Sequence, residues 1–283
     1  MTITALRLTG TSARTARSSS AGRSHPARAR QAASDGAAAA VRAQAAAWIA
    51  SQVGSDETIA CDPVVCAALQ VHGVTAGRLV EVGPATTSVS GADVIVASPV
   101  IRRQFGGQLS DEFAPRLLAS FGSGADLIDV RAAFPGGVAA YNSALQADHA
   151  ARQSAGAQLL RSRRIMVSPQ GVRQLESGAV DTRLMVMLAA LASLQRLQVV
   201  AFGDASPGAG VPAADLPLRE VTITSADGRG GAAVLAPVLA MVRAQRAPYQ
   251  PAYAAIVDSA AGQAELLIEF AAPSPLGLLT GGT

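Results

Sequence analysis

Two cysteines and three histidines are the chain's whole stock of thiol and imidazole groups, and their spacing limits what they can do. Cys61 and Cys66 stand in a C-x4-C arrangement across the end of an expected strand and the first turn of an expected helix. That placement allows the α-carbon separation of about 6 Å that a disulfide prefers; two buried thiols are the equal alternative. A disulfide would place the protein in an oxidising compartment. Two cysteines do not complete a structural zinc site, and His72 and His149 stand at no zinc-ligand spacing, so neither metal nor cofactor is expected. His149 adjoins Asp148, but neighbours on a helix point about 100° apart and make no acid–base pair. A solvated helix face is expected there. His72, just before Gly73, suits a helix C-terminus.

Three carboxylates adjoin predicted strand ends, where α/β sheets build their sites. Asp62, followed by Pro63, already reads as a helix N-cap, and Asp93 opens a strand. Asp204, with Ser206 beside it, is the strongest candidate for a ligand contact. The expected binding set is Asp204, Ser206 and Asp62, with no catalytic residue. Asp181 reads as a helix cap with Arg183 its solvated neighbour. The loop from Gly203 to Gly210 follows a strand but lacks a Gly-Lys-Ser/Thr ending and a glycine fingerprint entering a helix, so no nucleotide is expected. There is no G-x-S-x-G elbow, H-E-x-x-H pair or EF-hand loop. Gly122-Ser123-Gly124 suits a helix C-cap and turn.

The elements that must position these residues follow from propensity and punctuation. Alanine-rich Val41–Val53, with Trp48 and Ile49, is a predicted helix ending at Gly54. Thr58–Cys61 is a short strand, and Pro63–His72 a helix stopped by Gly73. Leu79–Val82 and Asp93–Ala97 are predicted buried strands, and Pro99 opens another helix. Ser110–Leu118 is expected helical, Leu127–Ala133 extended and Val138–Leu160 a long helix. In the second half, strands are expected at Ile165–Val167, Val199–Phe202, Leu218–Thr224, Ala252–Asp258 and Glu265–Phe270. Helices are expected at Gln170–Glu176, Thr182–Leu194 and Ala232–Arg246. The last two strands form a hairpin through Ala261-Gly262. This alternation predicts an α/β fold of two helix-covered sheet domains, residues 41–162 and 163–283, the second α/β or α+β.

The composition excludes several classes. Of 283 residues more than a fifth are alanine, which raises mean hydropathy to +0.29 without a run of roughly 18 apolar residues, so no membrane span is expected. All 23 basic residues are arginine. Arg7, Arg14, Arg17, Arg23, Arg28 and Arg30 precede the first acid, Asp35, so the remaining chain carries more acid than base and has no claim on nucleic acid. Residues 1–40 read as a disordered Arg/Ser/Ala-rich tail, with too little apolar side chain to offset ordering. It is either a solvated arm or the product of a start codon misplaced in a longer gene. The functional alternatives are an arm for anionic lipid or nucleic acid and an Arg- and Ser-rich targeting segment. It lacks the apolar core of a secretory signal.

Ala47-Trp48-Ile49-Ala50, Thr58–Asp62, Asp93–Val96 and Ala119–Gly124, followed by Ile128–Arg131, succeed one another in a pattern. Over residues 45–145 it resembles the soluble extracytoplasmic C-terminal region of actinobacterial membrane proteins related to the family 39 glycosyltransferases. The resemblance implies an envelope location and proximity to lipid-linked or cell-wall sugar, or to a membrane-protein partner. That family's catalytic acids lie in the membrane-embedded part, so it assigns no catalytic residue here. Gly178–Leu184 through Val199–Gly203 resembles a segment of actinobacterial cell-wall-associated domains, whose following turn holds Ser and His. Here the turn is Gly203-Asp204-Ala205-Ser206, without histidine, against metal-dependent hydrolysis. The expected function is a non-catalytic interaction or carbohydrate-recognition protein on the extracytoplasmic face of the envelope. The alternatives are an enzyme of sugar or cell-wall metabolism using Asp204 or Asp62, and a cytoplasmic nucleic-acid binder acting through the basic tail.

Overall fold

The computed structural model describes residues 26–205, 209–210, 216–226 and 231–279. They open on an alanine-rich helix, α1 (Pro26–Gln52). Residues 26–40, assigned above to the tail, are thus helical. Proline's fixed φ suits the first helical position, and the alanines that follow favour propagation of the helix. Among the residues of α1 from 32 onward, the first buried are Ala45, Ala46 and Ile49. By contacts, residues 1–37 and 38–283 are separate units, and the second carries both sheets.

The first sheet has the order β2-β1-β3-β5-β4, with β1 (Ile59–Cys61), β2 (Leu79–Glu81), β3 (Val94–Ala97), β4 (Arg116–Phe121) and β5 (Ile128–Ala132). β1 is parallel to β2 and β3, whereas β5 is antiparallel to β3 and β4. All four β3 residues are buried. Val94 and Val96 join the core beneath α1 and α2 (Pro63–Val71), while Ile95 and Ala97 join a second cluster with Ile101 and Phe105 of α3 (Pro99–Phe105). A strand apolar on both faces belongs to a sheet covered on both. α2 starts where Asp62 accepts from the amides of Val64 (3.0 Å) and Val65 (3.2 Å), and it stops before Gly73, whose φ of +92° few other residues adopt.

Two expectations fail here. Leu79–Glu81 is an edge strand with Val80 exposed, because β1 has its other neighbour in β3. The helix expected at Ser110–Leu118 is a single π-turn at Leu109–Phe113 followed by β4. Pro115 removes an amide and drives Ala114 to an extended φ of −142°, so the turn cannot continue. Gly122-Ser123-Gly124 therefore joins two strands instead of capping a helix.

The second sheet, β6-β7-β8-β10-β9, consists of β6 (Ile165–Val167), β7 (Leu197–Gly203), β8 (Glu220–Ser225), β9 (Tyr253–Asp258) and β10 (Ala264–Glu269). Only β6 and β7 are parallel. Its core joins Leu184, Leu188 and Leu191 of α6 (Thr182–Leu194), and Leu235, Val238 and Val242 of α7 (Ala232–Arg243), to alternate strand residues such as Val221, Ile223, Leu266 and Ile268. Two mixed sheets clad in helices make the fold α/β. No described helix is long and apolar enough to cross a membrane.

Between the sheets in sequence runs α4 (Gly137–Leu160), which packs on α5 (Pro169–Glu176). Their backbones meet at Gly156, where an added Cβ would lie 2.9 Å from the carbonyl carbon of Leu175 and closer still to its oxygen. Glycine is needed there for approach.

Candidate functional site

Past β10 the chain forms a strap, residues 271–277, held from several sides. The Ala272 amide donates to Gln52 O (2.6 Å), and the Gly54 amide donates to Ala272 O (3.0 Å). Ser274 Oγ donates to Asp181 Oδ2 (2.6 Å), Arg183 Nη2 to Ala271 O (2.8 Å) and the Gly277 amide to Asp148 Oδ1 (3.1 Å). The strap partitions two recesses, and Ala272, Pro273 and Pro275 line both.

The first recess, about 180 Å³, is predominantly apolar. Trp48 comes from α1, Arg116 and Leu118 from β4, and Tyr141 from α4, with Phe134 and Arg219 among the other walls. Phe134 and Tyr141 meet edge to face with ring centroids 5.4 Å apart, and Trp48 tilts against Phe121 at 6.0 Å. Arg116, Leu145, Leu216 and Pro217 also line an adjoining, wider recess of about 670 Å³ along α4, where Gln146, His149, Arg152 and Gln174 add polar wall.

The guanidiniums of this cleft differ. Arg219 is 3% exposed and donates to Phe270 O (2.7 Å) and Gln52 Oε1 (3.3 Å). Burial lowers its pKa, against the pull of Asp181. Arg152 is paired with Asp148 at 2.8 Å. Arg116 stands beside the Tyr141 hydroxyl, and no carboxylate lies within ion-pair distance of it among the described residues. Burial raises the Tyr141 phenol pKa, so the proton stays on. Trp48 keeps a buried indole N–H without an acceptor among the described residues, a cost of about 1–3 kcal/mol for such a group.

The second recess, about 440 Å³, holds Asp56, Glu57 and Arg183 opposite prolines of the strap. Burial, then the charges of Asp93 and Asp56, raise the pKa of Glu57 to about 7, and Arg183 and Arg78 offset this only in part. A carboxyl that exchanges its proton near neutrality can serve as an acid or a base. The raised folded pKa also fixes the sign of a stability effect. Between about 4.5 and 7 the unfolded chain has released a proton that the folded chain keeps, so Glu57 lowers stability as pH rises through this window. Discounted for its half-exposed position, the effect is about 1 kcal/mol. Urea unfolding at pH 5 and pH 8 should show Glu57→Gln gaining that amount over wild type at the higher pH; parallel profiles would remove Glu57 from this role.

The structure disperses the carboxylates singled out in the sequence. Asp62 is buried as the α2 cap, beside a separate recess of about 200 Å³ that it shares with Arg42, Ser98 and Asp126. Asp204 follows β7, half-buried, with Arg219 and Glu220 within reach of its charge. Ser206 lies outside the described residues. Cys61 and Cys66 form a disulfide, with sulfurs 1.96 Å and α-carbons 5.4 Å apart. His72 ends α2, and His149 Nε2 meets Ser177 O at 2.9 Å. Asp148 is buried against Arg152, and Arg183 is buried against Asp181, so neither belongs to the solvated face expected of it. A charged side chain escapes the solvent-face pattern when its counter-ion stands two or four residues away and both turn inward.

The sequence marks none of Arg116, Tyr141, Trp48 and Glu57 as a ligand contact; Trp48 stands out there only as a helix residue and in the family resemblance. Comparison with protein-family models, curated proteins and solved structures finds no match.

Proposed function

We propose that this chain is a non-catalytic recognition domain of the cell envelope that binds a sugar in the aromatic recess between its sheets. The supporting observation is the convergence of Trp48, Phe134 and Tyr141 with guanidinium donors in one apolar cavity. Aromatic faces suit the C–H faces of a pyranose, and a few fixed donors suit its hydroxyls. The disulfide fits an oxidising compartment. The resemblance to extracytoplasmic regions of proteins related to family 39 glycosyltransferases favours cell-wall or lipid-linked sugar as the ligand, or a membrane protein as the partner.

Trp48 is the only tryptophan and supplies the assay. Its emission should change saturably as monosaccharides or cell-wall fragments are added, with calorimetry giving the same midpoint. Phe134→Ala should raise that midpoint about tenfold, the loss of one aromatic contact. A flat response by both methods across the panel would end the proposal.

An enzyme has one observation in its favour, the neutral-range carboxyl of Glu57 in the second recess. Sugar turnover lost in Glu57→Gln, with stability retained at pH 6, would favour it.

A further inference from the structure

We infer that the sugar taken by the first recess is an acidic one, its carboxylate or phosphate seated between the Arg116 guanidinium and the Tyr141 hydroxyl where the two lobes of the cleft meet. This rests on the sugar-binding proposal and names the class of sugar.

Charge carries the inference first. No aspartate or glutamate lines either lobe among the described residues, whereas Arg116, Arg219, Arg152 and His149 do. The nearby carboxylates are already engaged: Asp148 holds Arg152, and Asp181 holds Arg183. Arg116 is left without a counter-charge in a wall that is largely apolar. A guanidinium drawn out of bulk water without a paired anion is unfavourable, and an anionic ligand supplies what the chain does not.

Geometry carries it next. Arg116 belongs to the walls of both lobes, so a group bound there is reached from either. Tyr141 is more than nine-tenths buried, and the charge of Arg116 acts on its phenol. A phenol that keeps its proton has an O–H to donate to an anion. Guanidinium and phenol together present donors to a single oxyanion, the arrangement in which arginine outperforms lysine by bidentate contact. The aromatic lobe then receives the ring, and the wider lobe with Gln146, His149 and Gln174 receives whatever extends from it.

The test titrates the full chain with glucose, glucuronate, glucose 1-phosphate and inorganic phosphate, by calorimetry and Trp48 emission at physiological salt. At least one acidic sugar should bind about tenfold or more tighter than glucose, the worth of a charged hydrogen bond. Arg116→Met should remove most of that advantage, read as the ratio of acidic-sugar to glucose affinity within the same variant. Tyr141→Phe should take part of it, and thermal midpoints near wild type would show both variants folded. The ratio of glucuronate to glucose 1-phosphate identifies the anion. Glucose binding as tightly as both acidic sugars overturns the inference and leaves the sugar-binding proposal standing. Phosphate alone binding as tightly as glucose 1-phosphate keeps the anion seat and removes the sugar. Absence of binding by all four overturns both.

Discussion

Replacing Asp181 by alanine should destabilise the protein by about 3–5 kcal/mol, the cost of leaving a buried charge without its partner. Asp181 is 1% exposed and accepts from the Arg183 amide (2.8 Å), Arg183 Nε (3.1 Å), Arg183 Nη2 (2.8 Å) and Ser274 Oγ (2.6 Å). Without it, the Arg183 guanidinium retains Ala271 O and the face of Phe270, 4.8 Å from the ring centroid, with Glu57 in the same recess. Helix α6 would also lose its cap, worth about 1 kcal/mol. Burial pushes the Asp181 carboxyl up, but Arg183 and the hydrogen bonds outweigh it and hold the group below its ordinary value of 3.8. A depressed folded pKa stabilises above the unfolded value and loses that contribution as pH falls through the folded one. The gap between wild type and variant should therefore be full at pH 7 and narrow under acid. Urea midpoints would read both, and a loss below about 1 kcal/mol at pH 7 would mean that Arg183 finds other company.

Asp148→Ala should cost a similar 3–5 kcal/mol, for a related reason with a different remedy. Asp148 accepts from Arg152 Nε at 2.8 Å, one turn along α4, and from the Gly277 amide at 3.1 Å. Arg152 in turn donates to Gly178 O, tying α4 to the turn after α5. Truncating the acid strands the base at 5% exposure. Removing both charges does not: Asp148→Leu with Arg152→Met fills much the same space without an ion to desolvate, and should recover most of the loss. Differential scanning calorimetry of the single and double variants separates the two terms. A double variant as unstable as the single one would assign the effect to lost hydrogen bonds to Gly178 and Gly277 and not to charge.

The sequence expressed local elements well where local chemistry encloses them. Asp62-Pro63 and Gly73 bound α2 by the cap and stop they imply. Ile128–Ala132 alternates buried and half-buried as its pattern requires. β4 was illegible because its partner is β5 across a turn, and pairing is decided by tertiary contact. Residues 32–40 of α1 escape the sequence pattern for the opposite reason, since alanine favours the helix and these residues are exposed or half-buried, so no buried face announces it. The candidate site failed to show for both reasons. Arg116 is one arginine among 23, and its company of Trp48, Tyr141 and Arg219 is gathered from α1, α4 and the approach to β8. Glu57 stands between the helix end at Gly54 and the strand from Thr58, and its raised pKa comes from burial and from Asp93, just before β3, which only the fold brings near. The cysteine pair stood between, since spacing permitted the bond and the strand-to-helix turn made it.

The strap acts as a shared partition. Because Ala272, Pro273 and Pro275 line both the aromatic recess and the Glu57 recess, a displacement of these residues would alter both at once. A bulky occupant of the aromatic recess would press the prolines toward Glu57 and shed what water it has, making its charge harder to keep. By reciprocity, the charged form of Glu57 would oppose that occupant to the same degree. Occupancy and acidity would then exchange across three residues of chain, as pressure passes through a wall common to two rooms.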